Sequence, residues 1–399
     1  MQVVGGRVRV AHRIGLFVGG VLTVLTASGP SVASTGSSGG CRPVTVTATD
    51  LGTLGGATYP TDIDDRGRVV GGSQTANGFH AFRWDRGVMT DLTPTASDGT
   101  AVATNNRGEV LLSWVDAATG ASEYGVGVWH RGTTTVVRSG PNPTVGVDIN
   151  ERGQVLLSWI DGTSEDGLWD GGQVEPVEAP AGSGLLPIAT NLGEGGHVAG
   201  ILSSGGRQGP IGGFVWRDGV FTVMDTAPYL IREVADIDRA GRVLVNTWAD
   251  QTGSARALRW DGGGYIDLGH LAPGPGAITA GSDMNERGQI VGSSTTPSGT
   301  HAFLWENGEM VDLHTFGEMD SHATLISDRG HVAGFTSLFG GFFSGFLWWC
   351  GEAVDLGTLP GDSRPRAPIA INARGQVVSG VSTLAGDRVM LSTPTRSSR

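Results

Sequence analysis

Lysine is missing from the chain altogether, since all 27 basic residues are arginines. This absence excludes chemistry that depends on lysine, such as Schiff-base formation or phosphate binding by a Walker A loop. The arginines are outnumbered by 39 acidic residues, which gives a formal charge of −12. An acidic chain is poorly suited to binding phosphate backbones. We therefore expect no nucleic-acid partner, and no motif in the sequence indicates a cofactor.

Cysteine is nearly as scarce, with only Cys41 and Cys350. Each lies shortly before the last strand of a predicted repeat, so a disulfide would join the N-terminal strand to the neighbouring repeat. An exported chain can form such a bond, and two free thiols are the alternative. The nine histidines form no HExxH motif and no close cluster with cysteine, so the sequence predicts no metal site.

Long apolar runs are limited to residues 14–27. This run follows three arginines and precedes small residues at 31–33, which is the pattern of a secretory signal peptide covering residues 1–33. The run is too short to span a bilayer comfortably, and no other run approaches that length, so no membrane span is predicted. Cleavage after residue 33 would remove three arginines and no acid, which brings the formal charge to −15.

A Gly/Ser-rich linker follows at residues 34–43. Within it, a lipid anchor at Cys41 would be the alternative to free secretion. Residues 38–40 read Ser-Gly-Gly, lack the aliphatic residue that such an anchor requires, and lie far beyond the apolar run. We therefore expect a secreted protein without a lipid anchor.

Glycine, by contrast, is abundant, with 67 residues, and many of the glycines mark a repeat. The clearest copy covers residues 280–313 and contains two tight-turn sequences, Asn-Glu-Arg-Gly at 285–288 and Glu-Asn-Gly at 306–308. Asparagine and glycine at these positions favour hairpin turns with positive φ. The segments between the turns are short and rich in β-branched and aromatic residues. Each copy is therefore predicted to form a meander of four strands, A to D.

The turn glycine recurs eight times, at spacings of 41 to 47 residues: Gly67, Gly108, Gly153, Gly196, Gly241, Gly288, Gly330 and Gly375. A period of that length with four strands per repeat is typical of β-propellers. Residues 44–51 resemble a lone fourth strand, whereas the eighth copy lacks its fourth strand. The two ends of the chain thus complete each other, as in propellers that close with a terminal strand.

We therefore predict an all-β fold, an eight-bladed β-propeller of four-stranded antiparallel blades closed by an N-terminal strand. A seven-bladed ring with one irregular copy is the alternative. The propeller is predicted to cover residues 44–392 as eight repeats of about 44 residues, followed by a C-terminal tail at 393–399.

Two copies contain the triplet His-Ala-Phe shortly before a tryptophan, at 80–82 and 301–303. Together with the Asp-Leu-Gly-Thr-Leu segments and the Asn-x-Arg-Gly turns, these triplets resemble the HAF family of extracellular repeats. The resemblance covers roughly residues 49–391 and is weaker where the triplet is replaced, as by Arg-Ala-Leu at 256–258. It implies an exported bacterial repeat protein and supplies no catalytic residues.

Tryptophan ends the third strand of seven copies, and we expect these indoles to pack between blades: Trp84, Trp129, Trp169, Trp216, Trp260, Trp305 and Trp348. Three other tryptophans follow strand B and precede an aspartate by two residues. A tryptophan beside a carboxylate suits stacking on a sugar ring with hydrogen bonds to its hydroxyls. The candidate ligand-binding residues are therefore Trp114, Asp116, Trp159, Asp161, Trp248 and Asp250. The alternative is that strand B extends and buries these indoles.

Arginine precedes the turn glycine in six copies: Arg66, Arg107, Arg152, Arg287, Arg329 and Arg374. Equivalent turns lie on one face of a propeller, so these side chains would either attract anions there or pair with acids of the turn or the next blade. We favour pairing.

Repeat positions account for nearly every recurring polar residue, and no catalytic residues can be assigned. The sequence therefore favours a monomeric, secreted, non-catalytic binding or scaffold module for an extracellular carbohydrate or protein. The alternative is a propeller hydrolase or lyase acting on extracellular polysaccharide, which single-copy acids converging at one end of the channel would indicate. The B–C and D–A connections vary most and emerge on one face, where we expect ligand contacts.

Overall fold

The computed structural model describes residues 44–116, 122–159, 166–204, 211–224, 229–313, 320–338, 342–359, 364–384 and 386–396. The predicted signal peptide, the linker with Cys41, and Asp161 lie outside these residues. Every helix or strand assigned within them is a β-strand. That part of the chain contains no helix able to cross a membrane.

After β1 (Val44–Asp50), the strands follow in seven sets of four and a last set of three, which correspond to the sequence repeats, and we call each set a unit. Unit 1 contains β2 (Thr58–Ile63), β3 (Val69–Gln74), β4 (Phe79–Asp85) and β5 (Val88–Asp91). Unit 2 contains β6 (Asp98–Thr104), β7 (Val110–Asp116), β8 (Glu123–His130) and β9 (Thr133–Gly140). Unit 3 contains β10 (Thr144–Ile149), β11 (Val155–Trp159), β12 (Gly167–Asp170) and β13 (Gln173–Pro176). Unit 4 contains β14 (Leu186–Leu192), β15 (Val198–Ser203), β16 (Gly212–Arg217) and β17 (Val220–Met224).

The second half of the chain repeats this order. Unit 5 contains β18 (Ile231–Ile237), β19 (Val243–Thr247), β20 (Ala257–Trp260) and β21 (Tyr265–Asp267). Unit 6 contains β22 (Thr279–Met284), β23 (Ile290–Thr296), β24 (Gly299–Glu306) and β25 (Glu309–Asp312). Unit 7 contains β26 (Asp320–Ile326), β27 (Val332–Leu338), β28 (Phe342–Trp349) and β29 (Glu352–Asp355). Unit 8 contains β30 (Arg364–Ile371), β31 (Val377–Thr383) and β32 (Gly386–Arg396).

Each unit is an antiparallel sheet whose strands are neighbours in chain order. Units 1 and 2 also share one parallel pair, between Phe79 and Asp98, which joins them into an eight-stranded sheet. Unit 8 has the order β1-β32-β31-β30, so the N-terminal strand supplies its fourth strand. The prediction of an all-β propeller is confirmed.

The last strand is longer than the sequence suggested. β32 pairs with β1 along its whole length, from Val44 opposite Arg396 to Asp50 opposite Met390. Because β1 offers hydrogen-bonding partners that far, β32 continues to Arg396, and the tail predicted for residues 393–399 begins later than expected. Cys350 is disulfide-bonded, and its predicted partner Cys41 lies outside the described residues.

The predicted turns are present in the structure. The eight A–B turn glycines have φ between 76° and 85°, a conformation that costs glycine little. At the C–D turn of unit 6, Asn307 and Gly308 have successive φ values of 54° and 91°, as a tight two-residue hairpin requires. Each strand A also contains a register shift shortly before its turn, as between Gly281 and Asp283 in β22.

Polar groups in the A–B turns connect neighbouring units. The Nδ2 group of Asn285 donates a hydrogen bond to the carbonyl oxygen of Ser327 in the next unit at 3.1 Å. The backbone N–H of Glu286 donates to Asp328 in that unit at 3.1 Å. The backbone N–H of Ala373 in unit 8 likewise donates to a carboxylate of unit 1 at 2.8 Å. Since the last and first units share the contact made between units 6 and 7, the ring is closed.

The hydrophobic core consists of clusters that lie between neighbouring units. Phe82 and Val69 of unit 1, for example, pack with Val378 and Val389 of unit 8. The tryptophans that end strand C contribute to these clusters, and Trp216 is only 2% exposed. The prediction that they pack between blades is therefore confirmed.

Candidate functional site

The predicted ligand-binding residues are distributed over units 2, 3 and 5. Trp114 and Asp116 lie within β7, and Trp159 ends β11. Trp114 is half-buried and packs against the cluster between units 1 and 2. It lies across Gly125 of the neighbouring strand, where a Cβ atom would be 2.1 Å from its Cε2 atom. Strand B of unit 2 therefore extends and packs this indole.

Trp248 is placed differently. β19 ends at Thr247, and the side chain of Trp248 beyond it is 51% exposed. Its backbone N–H donates to the carbonyl oxygen of Leu230 at 2.8 Å, which fixes the start of the B–C loop. Asp250 lies on the same loop. The ligand-binding role of these two residues stays a prediction.

The B–C loop of unit 5 forms one wall of a cleft of about 590 Å³. The other wall is the connection from unit 5 to unit 6, and isolated pairing of Ala255 with Ile278 holds the two segments side by side. The cleft is lined by Thr252, Ser254, Arg256, Gly269, His270, Pro273, Gly274 and Pro275. Its volume lies in the range of small-molecule sites. It is built from the two kinds of connection expected to contact a ligand.

Asp250 holds the first wall in shape. Its Oδ1 atom accepts hydrogen bonds from the backbone N–H of Thr252 at 2.7 Å, from the Thr252 hydroxyl at 2.6 Å and from the backbone N–H of Ser254 at 3.1 Å. These bonds, led by that of the Thr252 side chain, lower the pKa of Asp250 below its ordinary value. Asp250 is therefore ionised and acts as the organising residue of this loop.

Arg256 occupies a repeat position whose role is visible in other units. In units 1 and 6 the histidine of the His-Ala-Phe triplet contacts, through Nδ1, an aspartate at the end of strand D. His80 contacts Asp91 and His301 contacts Asp312, each at 2.7 Å. The recurring histidine thus joins strands C and D within one unit.

In unit 5 this pair is replaced by an ion pair between Arg256 Nη1 and Asp267 Oδ2. The two side chains are 32% and 30% exposed, so the guanidinium remains accessible. Asp267 Oδ1 accepts the backbone N–H of Gly269 at 2.9 Å. The carboxylate that orients Arg256 is therefore itself fixed by the connection on the other side of the cleft.

His270 is a second departure from the repeat. The segment Asp-Leu-Gly-Thr-Leu at 50–54 and 355–359 becomes Asp-Leu-Gly-His-Leu at 267–271, so His270 stands where Thr53 and Thr358 stand. Its Nδ1 atom lies 2.8 Å from Thr279 Oγ1, which lies 2.8 Å from Ser294 Oγ. Both hydroxyl residues are buried. Since Nδ1 is directed at this pair, Nε2 lies on the opposite side of the ring.

The surroundings of His270 favour its neutral form. Burial is the main cause that lowers its pKa below the ordinary 6.5, and Arg256 lowers the pKa further, while Asp267 and Asp250 partly oppose this. A neutral imidazole with one nitrogen held by a hydroxyl can accept a proton at the other nitrogen. Arg256 supplies a cation in the same cleft. Among the described residues, no group of three or more His, Cys, Asp or Glu side chains could hold a metal ion.

The turn arginines form a different surface. All six are exposed. Arg107 contacts Glu109 at 2.6 Å and donates to the carbonyl oxygen of Arg152 in the next unit at 2.8 Å. The turn acids that were expected to pair with arginine instead accept backbone N–H groups from the preceding unit, as Glu151 does from Asn106 at 2.9 Å. These acids contribute to the ring of contacts between units.

Neither Arg256 nor His270 is among the candidate ligand-binding residues predicted from sequence. The available signal was their departure from the repeat, because each replaces a residue found at that position in two other copies. On the repeat pattern alone, such departures only weaken the resemblance to the family. The cleft shows that two of them lie together.

No protein-family model matches the sequence, and a search of curated proteins finds no relative. Among solved structures, dipeptidyl peptidase 4 of Porphyromonas gingivalis is similar with a TM-score of 0.53 and 10% identity, over 86% of this chain and 60% of that one. The β-propeller domain of the Trilobed protease from Pyrococcus furiosus gives a TM-score of 0.47 and 13% identity, over 77% of this chain and 100% of that one. The acylaminoacyl peptidase of Pyrococcus horikoshii gives 0.46 and 12%, over 81% of this chain and 57% of that one.

At these identities the similarity shows the fold, and this chain spans less than two thirds of the two full-length peptidases. The prediction of a non-catalytic binding or scaffold module is wrong by this comparison. Dipeptidyl peptidase 4, whose fold is similar to that of this chain, is a peptidase and therefore a hydrolytic enzyme. The recurring polar residues, on which the prediction of a non-catalytic module was based, explain the fold. They do not account for the residues of the unit 5 cleft.

Proposed function

We propose that this chain is an enzyme, a propeller hydrolase or lyase that acts on an extracellular polysaccharide bound in the cleft of unit 5. The observation that carries this proposal is the convergence of Arg256 and His270, which replace repeat residues, in one cleft of about 590 Å³. Neither substitution is needed for folding of the repeat, because other units fold with histidine and threonine at these positions.

The walls of the cleft support a carbohydrate as the ligand. Thr252 and Ser254 bring hydroxyl groups, Arg256 brings N–H donors, and Pro273 and Pro275 bring flat apolar surface. The exposed indole of Trp248 starts the same loop. Apolar faces combined with a few placed polar groups are the usual composition of small-molecule sites.

Export and membership of the HAF repeat family belong to the same proposal. The apolar run at residues 14–27 is the reason to expect export, and the His-Ala-Phe triplets are the reason to expect the family. An exported enzyme of this kind would meet its polymer outside the cell. The peptidases with a similar fold are hydrolases, which is consistent with hydrolysis as the reaction class.

The test is a panel of neutral, acidic and acyl-substituted polysaccharides incubated with the purified chain lacking residues 1–33. Products are measured as reducing ends, released acyl groups and unsaturated sugars. The decisive variant combines Arg256→His with His270→Thr, which restores the residues of other units. We expect this variant to fold like the parent protein and to lose activity at least about a hundredfold.

A matched control is Ser344→Arg, which places arginine at the equivalent position of unit 7, beside Asp355 and outside the residues that line the cleft. It should retain the parent activity. No product from any polymer, or equal activity of the restored double variant, contradicts the proposal.

A further inference from the structure

We propose, building on the function proposed above, that the cleft removes O-acyl groups from a polysaccharide by general-base hydrolysis, with His270 as the base and Arg256 as the oxyanion donor. The reacting bond is then an ester of the polymer, and its glycosidic bonds stay intact.

Glycosidic cleavage by the usual mechanism requires two carboxyl groups, one of them protonated. None of the described residues that line the cleft carries a carboxyl group. Of the neighbouring acids, Asp267 is occupied by Arg256 and by the N–H of Gly269. Asp250 binds its own loop, and those hydrogen bonds lower its pKa. A lowered pKa is the opposite of what a glycosidase acid needs.

His270 has the arrangement of a general base. In the tautomer with its proton on Nδ1, the ring donates to Thr279 Oγ1, and the hydroxyl oxygens of Thr279 and Ser294 are themselves hydrogen-bonded at 2.8 Å. Nε2 then carries the free electron pair on the side of the ring away from these hydroxyls. Because the imidazole is neutral at neutral pH, Nε2 can take a proton from a water molecule.

Arg256 is suited to stabilising negative charge. Its Nη1 is engaged by Asp267, while a guanidinium has five N–H donors in all. Asp267 is anchored by Gly269, so the guanidinium is oriented before substrate binds. Donors fixed in advance at the position of a developing oxyanion are worth about 10²–10³ in rate.

The reaction balances with water alone. Water loses a proton to His270 Nε2, and its oxygen bonds to the acyl carbon while the carbonyl oxygen becomes an oxyanion beside Arg256. The bond between the acyl carbon and the sugar oxygen then breaks, and the imidazolium returns its proton to that oxygen. The products are a carboxylic acid and a free sugar hydroxyl, and nothing is oxidised or reduced.

Base-initiated elimination at a uronate is the competing reaction for a cleft with an imidazole and a guanidinium. It needs an acidic polymer, whereas this chain has a formal charge of −12, which repels polyanions at low ionic strength. An acyl-substituted neutral polysaccharide meets no such repulsion. Charge therefore favours ester hydrolysis.

The experiment compares an acetylated neutral polysaccharide with the same polymer after chemical deacetylation, using the chain without residues 1–33. We expect acetate release from the first polymer without new reducing ends and without unsaturated sugars. His270→Asn keeps a side-chain amide able to contact Thr279 but removes the base, and it should lower acetate release by about 10²–10⁴. Arg256→His should lower it by about 10²–10³.

Thr358→Ala and Ser344→Ala are the matched controls, because they change the equivalent positions in unit 7. Both should release acetate at the parent rate. The rate of the parent protein should fall as pH decreases through the pKa of His270, which burial and Arg256 keep below 6.5, and this acid limb should be lost in His270→Asn.

The two proposals fail separately. Reducing ends or unsaturated sugars without acetate release overturn the ester mechanism and leave a polysaccharide enzyme. Acetate release that His270→Asn does not reduce overturns the role of His270. No product of any kind overturns the proposed function itself.

Discussion

Asn372 donates a hydrogen bond from its side-chain amide to the backbone carbonyl of Asp64 at 2.9 Å, although 308 positions separate the two residues. The same bond joins Asn105 to Asn150 at 3.0 Å between units 2 and 3. The junction between unit 8 and unit 1 is therefore built like the others. The hydrogen bond that closes the ring is therefore the same one that the repeat makes between other neighbouring units.

Removal of this amide should destabilise the ring. In Asn372→Ala the Asp64 carbonyl loses its side-chain donor, and the N–H groups of Arg374 and Gln376 lose the acceptor they share. We expect a loss of about 1–3 kcal/mol in the free energy of unfolding, measured by urea denaturation. The exposed Arg374→Ala in the same turn is the control and should change stability by less than about 0.5 kcal/mol. Equal effects of the two changes would contradict the role of Asn372.

Two kinds of residue pair connect neighbouring units at this turn. Asn285 is paired with Gln289 at 2.7 Å, whereas the equivalent turn of unit 5 pairs Asp238 with Arg242 and lets Arg242 Nη2 reach the carbonyl oxygen of Glu286 at 3.4 Å. Asn285→Asp alone should cost about 1–3 kcal/mol, because it removes the donor to the next unit.

Adding Gln289→Arg to that variant should restore at least half of the loss, since arginine then supplies both the partner and the donor. Thermal and urea denaturation of the single and double variants measure the coupling. Strictly additive effects would show that the pairs are not equivalent.

The turn glycines are required for space as well as for their backbone conformation. At Gly288 a Cβ atom would lie 2.7 Å from Arg242 Nη1 of the preceding unit, while at Gly308 nothing lies within 4 Å. Both residues have positive φ, 77° and 91°. Gly308→Ala should therefore cost about 1 kcal/mol from the backbone alone. Gly288→Ala should cost about 1 kcal/mol more, measured by denaturation, and equal costs would show that Arg242 moves away freely.

Acid should weaken the fold partly through His197. Burial lowers the pKa of this group below 6.5, and Arg217, whose Nη1 lies 3.2 Å from Nε2, lowers it further. The unfolded chain then binds the proton more readily than the folded chain, so stability falls as pH decreases from about 6.5 toward the folded pKa. His197→Gln, which introduces the residue found at the equivalent Gln154 and Gln289, should reduce this pH dependence. An unchanged slope of stability against pH in that window would contradict the assignment.

Trp114 and Trp248 should respond differently to truncation. Trp114→Ala removes an indole that packs in the cluster between units 1 and 2, so about 3 kcal/mol of stability should be lost. Trp248→Ala removes a 51% exposed side chain and should change stability by less than about 0.5 kcal/mol. If the unit 5 cleft binds polysaccharide, Trp248→Ala should raise KM severalfold. The reverse order of stability effects would contradict the placement of both side chains.

The propeller fold could be predicted from sequence because the same sequence pattern recurs eight times. Turn glycines at near-even spacing, a lone N-terminal strand and a last copy without its fourth strand are local patterns whose meaning does not depend on distant contacts. In the A–B turn of unit 6, for example, Gly288 provides the positive φ that the turn requires, and Asn285 makes the hydrogen bond to the next unit.

The cleft could not be predicted, because it depends on single copies and on which loops meet. Trp114 and Trp248 share the pattern Trp-x-Asp, yet Gly125 opposite the first leaves room for an indole to pack, whereas strand β19 ends before the second. Likewise, nothing local indicates that Arg256 and His270 face one cleft. Their proximity follows from the pairing of Ala255 with Ile278.

The pairing of β1 with β32 also sets an order of events during synthesis. β1 leaves the ribosome before the other described strands of the ring, while β32, the strand it pairs with, is made about 340 residues later. At a translation rate of about 5–20 residues per second, the backbone N–H and C=O groups of β1 stay without that partner for tens of seconds. Every other strand finds a neighbour within its own unit as soon as that unit is made. The nascent chain thus carries one unpaired strand until β32 has been made, and the ring can close only then.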